Sequence, residues 1–412
     1  MLLRKFIICF LVLTSVFGYA QDSAEGYLIE CKASEKNEDL AFLGPSFKNL
    51  KFVANTATIN VTYSNFPDDA KAAFQAAVDV WQSLLITKVP IKITANWDGI
   101  SSNTLATSGA KKVYKNFANA PIKDVWYPSA LAEAIAGVNL NGTEADIAIT
   151  VNKNISWSFD TDGTRQAFKY DLKTVILHEI AHGLGFTTSM KLAGTNETQA
   201  QWGIEGLPLI YDIFSQRSNG QVLTNTAIIG NPSTQLKAAI TSADVFFKIS
   251  SGPLTNDYPK MYAPTTYRSG GTLSHLDESK YPKGTENSLM SPQIGAAEIN
   301  HYPGQVILGI LNQIGWGVLK YDGFVITATE PQDISQQIFI YPNPSSDVLN
   351  LIVPEKYHDK TIQAQIFDMR GLLIQEEIIE SQSNAKINIE KLPFGKYVLR
   401  IAQNESIPFI KN

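Results

Sequence analysis

The run His178-Glu179-Ile180-Ala181-His182 restricts this chain more than any other feature of it. It lies in an apolar stretch that follows Asp171, a residue able to cap a helix, and that stops at Gly183 and Gly185. The pattern predicts a buried helix from Leu172 to about Gly183. On a helix, residues four apart sit one turn apart on one face, so both imidazoles can meet a single ion. Glu179 is one step round, able to reach a water on that ion without being a ligand. The neighbours Val175, Ile176, Leu177, Ile180 and Ala181 are apolar. The polar groups among them therefore need partners. A hydrolytic zinc site provides them: the ion lowers the pKa of water toward ~7, and a carboxylate takes the proton. The chain has five histidines in 412 residues, so chance seldom produces this spacing.

Two histidines leave such a site incomplete, because three protein ligands and one open position are expected. The others are His275, His301 and His358. His358 falls in a separate C-terminal stretch. His275, within Ser274-His275-Leu276-Asp277-Glu278, and His301 both stay open as third ligands on the residues alone. Asp160, Asp162 and Gly163 can make a calcium loop, although a solvated polar turn is the plainer reading.

Arg4 and Lys5, the short apolar run Phe6 to Phe17 and the small residues of Gly18-Tyr19-Ala20 read as a secretory signal over residues 1–20. Cys9 leaves with it, so Cys31 is the one cysteine of the mature chain and no internal disulfide can form. Residues 21–55 are polar and mixed, and are expected to be a loose lead-in or pro-segment. Regular structure is expected from about Thr56. A strand over Thr58 to Tyr63, a helix carrying Ala70, Phe74, Ala77, Val78, Trp81 and Leu85, and a strand over Ile91 to Trp97 come first. A short helix from Tyr127 to Gly137 and an alternating strand from Asp146 to Val151 precede the histidine helix. Residues 187–274 are rich in Gly, Asn and Ser, with helical patches at Gln201 to Phe214 and Pro232 to Ile240. A last helix runs from Gly304 to Gly315. Residues 322–336 look like a linker. From 337 to 412, short strands and turns suit a small β-sandwich. The expected class is α+β: a twisted sheet with the histidine helix over residues 56–321, then the β-sandwich.

The net charge of −5 and the lack of a Lys/Arg stripe argue against nucleic acid as a partner. After the signal no stretch has eighteen unbroken apolar residues, so no transmembrane span is expected in the mature form.

His178-Glu-x-x-His182-x-x-Gly185 resembles the opening of the metzincin signature of zinc peptidases. The position where a third histidine would follow is Thr188. His275 followed by Ser288-Leu289-Met290-Ser291-Pro292 resembles the leishmanolysin family of metzincins, in which an insertion separates the glycine from the third histidine. That resemblance implies zinc on His178, His182 and His275, Glu179 as general base, Met290 in a methionine turn, and residues 187–274 as the insertion. It implies that the strand Asp146 to Val151 is an edge that pairs with extended substrate; an ordinary strand within the sheet is the alternative. Some metzincins have a tyrosine two residues after the methionine; here that position is Pro292, and no such role is assigned. Several metzincins block the zinc with a pro-segment thiolate, but Ile29-Glu30-Cys31-Lys32 matches no such motif, and Cys31 reads as a plain free thiol. The implied activity is a secreted zinc-dependent endopeptidase acting on proteins or peptides. The alternative is a surface adhesin or binding protein on the same scaffold.

Tyr341-Pro342-Asn343-Pro344, Ile366-Phe367-Asp368-Met369-Arg370-Gly371 and Leu392-Pro393-Phe394-Gly395-Lys396-Tyr397 resemble the ordered motifs of type IX secretion sorting domains. The resemblance implies type IX secretion machinery as a partner, a Bacteroidota-type bacterium, and export through the outer membrane to the surface or beyond.

Overall fold

The computed structural model describes residues 22–44, 57–101, 103–250, 257–322, 325–329, 339–341, 345–352, 361–380, 384–401 and 405–411. The signal reading at 1–20, His358 and residues 323–324 and 330–336 of the expected linker lie outside them. The chain is mixed α+β with a β-rich C-terminal region.

A six-stranded sheet organises the first region. Its order is Gln293–Asn300, Ile29–Phe42, Thr104–Ala110, Ile147–Asn152, Ile91–Asp98, Ile59–Ser64. The last three strands of that order run parallel to one another. Thr104–Ala110 is antiparallel to both of its neighbours, and Gln293–Asn300 is parallel to Ile29–Phe42. Ile91–Asp98 and Ile147–Asn152 alternate buried and partly exposed residues, as a pleat requires. The helix Asp68–Leu84 buries Ala70, Phe74, Ala77, Val78, Trp81 and Leu84. Each of its large side chains contributes roughly 1.5–3 kcal/mol by leaving water. The Trp81 indole donates to Leu177 O at 3.1 Å, tying this helix to Leu172–Gly183. The Ser108 hydroxyl donates to Glu179 O at 2.7 Å, tying the histidine helix to the sheet.

Several expectations change. Among the described residues, regular structure is present from Asp22, well before Thr56. Asp22–Glu25 pairs with Lys112–Lys115, and Ile29–Phe42 is an inner strand of the main sheet. The polar sequence of this segment conceals it, because main-chain pairing holds it more than apolar side chains do. The strand at Ile147–Asn152 is not an edge. It has a partner on either side, and the edges are Gln293–Asn300 and Ile59–Ser64. The strand that covers its outer side, Thr104–Ala110, is built of small residues without a clear hydrophobic alternation.

Gln201 to Phe214 is not helical. Short strands Lys191–Ala193 and Gln199–Gln201 and a single helical turn at Asp212–Phe214 take its place. Gly203 and Gly206, at φ 96° and 76°, break the helical path. Thr234–Ile240 is a helix as expected, capped by Ser233, whose hydroxyl accepts from Leu236 N at 3.0 Å. The expected linker begins with a strand, Val325–Thr329, antiparallel to Gly317–Asp322.

In the C-terminal region one sheet holds Phe339–Tyr341, Val348–Ile352 and Asn384–Asn388. A second holds Leu373–Glu380, Thr361–Asp368, Gly395–Ile401 and Glu405–Lys411. Both sheets contribute to one apolar cluster that includes Leu349, Leu351, Ile366, Ile387, Leu399 and Phe409. Among the described residues, no helix is long and apolar enough to cross a membrane.

Candidate metal centre

The helix Leu172–Gly183 starts at Asp171, whose carboxylate accepts from Thr174 N at 2.8 Å and from the Thr174 hydroxyl at 2.7 Å. It ends where Gly185 turns the chain at φ 110°, a conformation that favours glycine. Phe186 O then faces back and accepts from His182 Nδ1 at 2.8 Å. Leu289 O accepts from His178 Nδ1 at 2.8 Å, and Gly271 O from His275 Nδ1 at 3.0 Å. A carbonyl can only accept, so each Nδ1 carries the proton and each Nε2 is left with a bare lone pair.

These lone pairs converge. His178 Nε2 lies 3.1 Å from His182 Nε2 and 3.2 Å from His275 Nε2. Three imidazoles bound at ordinary zinc distances hold their nitrogens about 3.3 Å apart. All three rings are buried. Burial pulls His178 down to about 4, and His275 down to about 3 with help from the nearby His178. His182 is pushed well below its usual range by burial and then by the other two rings. All three are therefore neutral at pH 7, the form that binds a metal. Among the described residues, this is the only group of three or more His, Cys, Asp or Glu side chains that could hold an ion. Acceptors aimed at one another without a proton between them fit a cation and little else.

Glu179 is fully buried, and neither carboxylate oxygen has a hydrogen-bond partner. Burial holds its pKa well above the usual carboxylate range, and the nearby Cys31 thiol opposes that shift. The thiol acts on the carboxylate, but too loosely placed to satisfy it. Burial, and then Glu179, push the Cys31 thiol up in turn, so it stays protonated.

Met290 is buried in the segment that follows His275. Its carbonyl accepts from Leu276 N at 2.9 Å, while that of Leu289 holds His178. This turn therefore grips two of the three histidine positions through its backbone. His301 does not join the cluster; its Nε2 lies 2.9 Å from Asp171 Oδ2, at the start of the helix. In the Asp160–Gly163 turn, Asp162 accepts from Thr164 N at 2.9 Å, and Asp160 receives Ser158 Oγ at 3.2 Å and the Gln166 amide.

Sequence reading missed two parts of this neighbourhood. One is Asp212, fully buried, which accepts from the Thr188 hydroxyl at 2.6 Å, Ser189 N at 3.1 Å and Leu209 N at 3.0 Å. It fixes the chain just past Phe186, the residue that orients His182. No signal in the sequence separates it from a surface Asp. The other is the placement of Cys31 against Glu179, which needs the pairing of a strand about 150 positions upstream.

A buried three-histidine cluster on an α+β scaffold, with a β-rich C-terminal region, defines a class of architecture. Comparison with known families then adds two matches. Residues 339–411 match the secretion system C-terminal sorting domain. The chain is accordingly exported by the type IX secretion system of Bacteroidota, to the cell surface or as a secreted protein. Residues 49–199, which include His178, Glu179 and His182, match a family described as SPBPB7E8-like. No curated protein matches the chain.

Proposed function

We propose that this protein is an exported zinc-dependent endopeptidase of leishmanolysin-like metzincin type. The observation that carries this reading is the convergence of three neutral, carbonyl-oriented imidazoles beside a buried carboxylate that has no partner. His178, His182 and His275 would hold the ion. When bound, the ion supplies Lewis acidity, polarising a peptide carbonyl and making water acidic enough to attack near neutral pH. Glu179, one step round the helix from His178, would accept a proton from that water and pass it to the leaving amine. The carbonyls of Leu289, Phe186 and Gly271 keep the three rings in the tautomer that faces the ion.

The test is Glu179→Gln in the full chain. Zinc, measured by elemental analysis, should stay at one equivalent, and hydrolysis of casein or gelatin should fall by about 10²–10⁴-fold. Full activity in that variant, or a purified wild-type chain that takes up no zinc, would rule the reading out.

A further inference from the structure

His275 reaches the cluster from a segment whose backbone is strained. Leu273, two residues before it, is fully buried and sits at φ 63°. A bulky side chain rarely adopts that conformation, which persists where the surroundings enforce it. Here they enforce it from two sides. Leu273 N donates to Tyr262 O at 2.8 Å, and Tyr262 N donates to His275 O at 2.8 Å. From the other side, the Tyr211 hydroxyl donates to Leu273 O at 3.0 Å.

Tyr211 is followed by Asp212, and both are buried. Asp212 accepts from the Thr188 hydroxyl at 2.6 Å and also from the Ser189 hydroxyl. Thr188 N in turn donates to Ser274 Oγ at 3.3 Å, next to His275. The Tyr211 ring lies 5.4 Å from the ring of Phe186, whose carbonyl accepts from His182 Nδ1. The pair thus grips the chain just after one histidine, at 186–189, and just before another, at 273–274. His178 and His182 share a helix and come together by its geometry alone. His275 stands 97 positions from His178 and is brought there by long-range bonds.

We propose that Tyr211 and Asp212 are positioning residues for the metal centre: they hold Leu273 in its strained conformation and so keep His275 beside the His178–His182 pair. Their effect on zinc rests on the reading under Proposed function; their hold on His275 rests on the hydrogen bonds. The segment between Gly185 and His275 then has a task of its own, since it carries the clamp for the third imidazole.

The test compares two hydroxyl deletions in the full chain. Tyr127 is as buried as Tyr211, but its hydroxyl serves Ile122, whose N–H donates to it at 3.0 Å. Tyr211→Phe should weaken zinc binding by about 10–100-fold against a chromophoric chelator, and Tyr127→Phe by less than about twofold. In the metal-free chains, amide exchange at Leu273 and Leu276 should quicken in Tyr211→Phe and keep the wild-type rate in Tyr127→Phe. Asp212→Asn, which keeps one acceptor oxygen of two, should move the same amides and the same affinity in the same direction. Leu273→Gly adds a rescue that a general loss of stability would not show. Glycine takes this backbone conformation without strain, so Tyr211→Phe combined with Leu273→Gly should regain most of the lost affinity. The visible spectrum of the cobalt-loaded chain should change in Tyr211→Phe and return in the double variant. Where loss of the Leu273 side chain unfolds the protein, Leu273→Asn serves instead, because Asn tolerates the left-handed region. A Tyr211→Phe chain that matches Tyr127→Phe in affinity and exchange would overturn the proposal. So would a double variant that binds zinc no better than Tyr211→Phe. A wild type that takes up no zinc would refute the hydrolase reading instead; exchange at Leu273 and Leu276 would then uphold the clamp if quickened in Tyr211→Phe and overturn it if unchanged.

Discussion

The sheet-and-helix region and the C-terminal β region bury different kinds of side chain. The first takes His178, Glu179, His182, His275, Asp171, Asp212 and Glu298 out of water. The second, among its described residues, buries only Ser345 and Lys411 among polar side chains, around an aliphatic centre of Leu349, Leu351, Ile387, Leu399 and Ile401. Burying a polar group without full compensation costs several kcal/mol, so a fold keeps such groups where they serve chemistry. The C-terminal region is held by strand pairing and an apolar centre, as suits an address that machinery outside the chain recognises. The first region gives up stability to hold an unsatisfied carboxylate beside three converging lone pairs.

The widest separation between the regions should come from removing one imidazole. His182→Ala or His275→Ala should weaken zinc binding by about a thousandfold or more, beyond the 10–100-fold typical of outer partners. Hydrogen exchange in the strands Val348–Ile352 and Gly395–Ile401 should not change. Titration against a chromophoric chelator checks the first statement. Equal zinc affinity in variant and wild type would remove the distinction between the regions. The converse change is Ile387→Ala, which opens a cavity in the fully buried C-terminal core. It should cost the β region about 3 kcal/mol, read from its own unfolding transition, and leave zinc affinity where it was.

This contrast also explains what the sequence disclosed. The histidine helix was legible to the residue, Leu172–Gly183, because an apolar run, a capping Asp and two glycines all agree there. The C-terminal region was legible as a series of short strands and turns, because apolar alternation between turn residues marks strands without fixing their ends. His275 was preferred over His301 only through family resemblance; the residues alone left both open, and only the fold places His301 on Asp171 instead. The strand Ile29–Phe42 was unreadable because its stability comes from backbone partners far away in sequence, Thr104–Ala110 and Gln293–Asn300. Asp146 to Val151 was read correctly as a strand, but whether it was an edge or an ordinary member stayed open, since edge status depends on which other strand arrives beside it. Local pattern carries elements; it does not carry neighbours.

The regions should also part company in acid. In the metal-free chain His178 and His275 titrate near 4 and 3, against about 6.5 when unfolded. With folded pKa values depressed, the unfolded chain binds more protons below about pH 6.5, so stability falls as pH drops from there toward 4. Asp146 works the other way: burial raises its carboxyl to about 6, so that group loses stability as pH rises from about 4 to 6. Burial also raises Glu179, Asp212, Glu278 and Glu298, which act in the same direction as Asp146, so the imidazoles' share should be read as the difference between wild type and His275→Ala. The described residues of the C-terminal region include no histidine, so none of this imidazole contribution should appear in its stability. Unfolding transitions of the metal-free wild type and His275→Ala recorded at several pH values test this, and a pH dependence between about 6.5 and 4 that is the same in both would contradict it.

The smallest effect should fall on the residue that family resemblance singles out. Met290 is completely buried, yet the contacts that organise the site come from backbone atoms: Leu289 O to His178 and Met290 O to Leu276 N. A Met→Leu exchange conserves volume and apolarity and leaves both carbonyls in place, so its cost should stay below about 1.5 kcal/mol. Zinc affinity should shift by less than threefold or so, within the few-tenths-of-a-kcal/mol scale of a well-packed swap. If Met290→Leu instead lost zinc as His182→Ala does, the side chain would be acting on the imidazoles directly. The first region would then owe its site to packing as well as to polar anchoring, and the contrast with the C-terminal core would narrow.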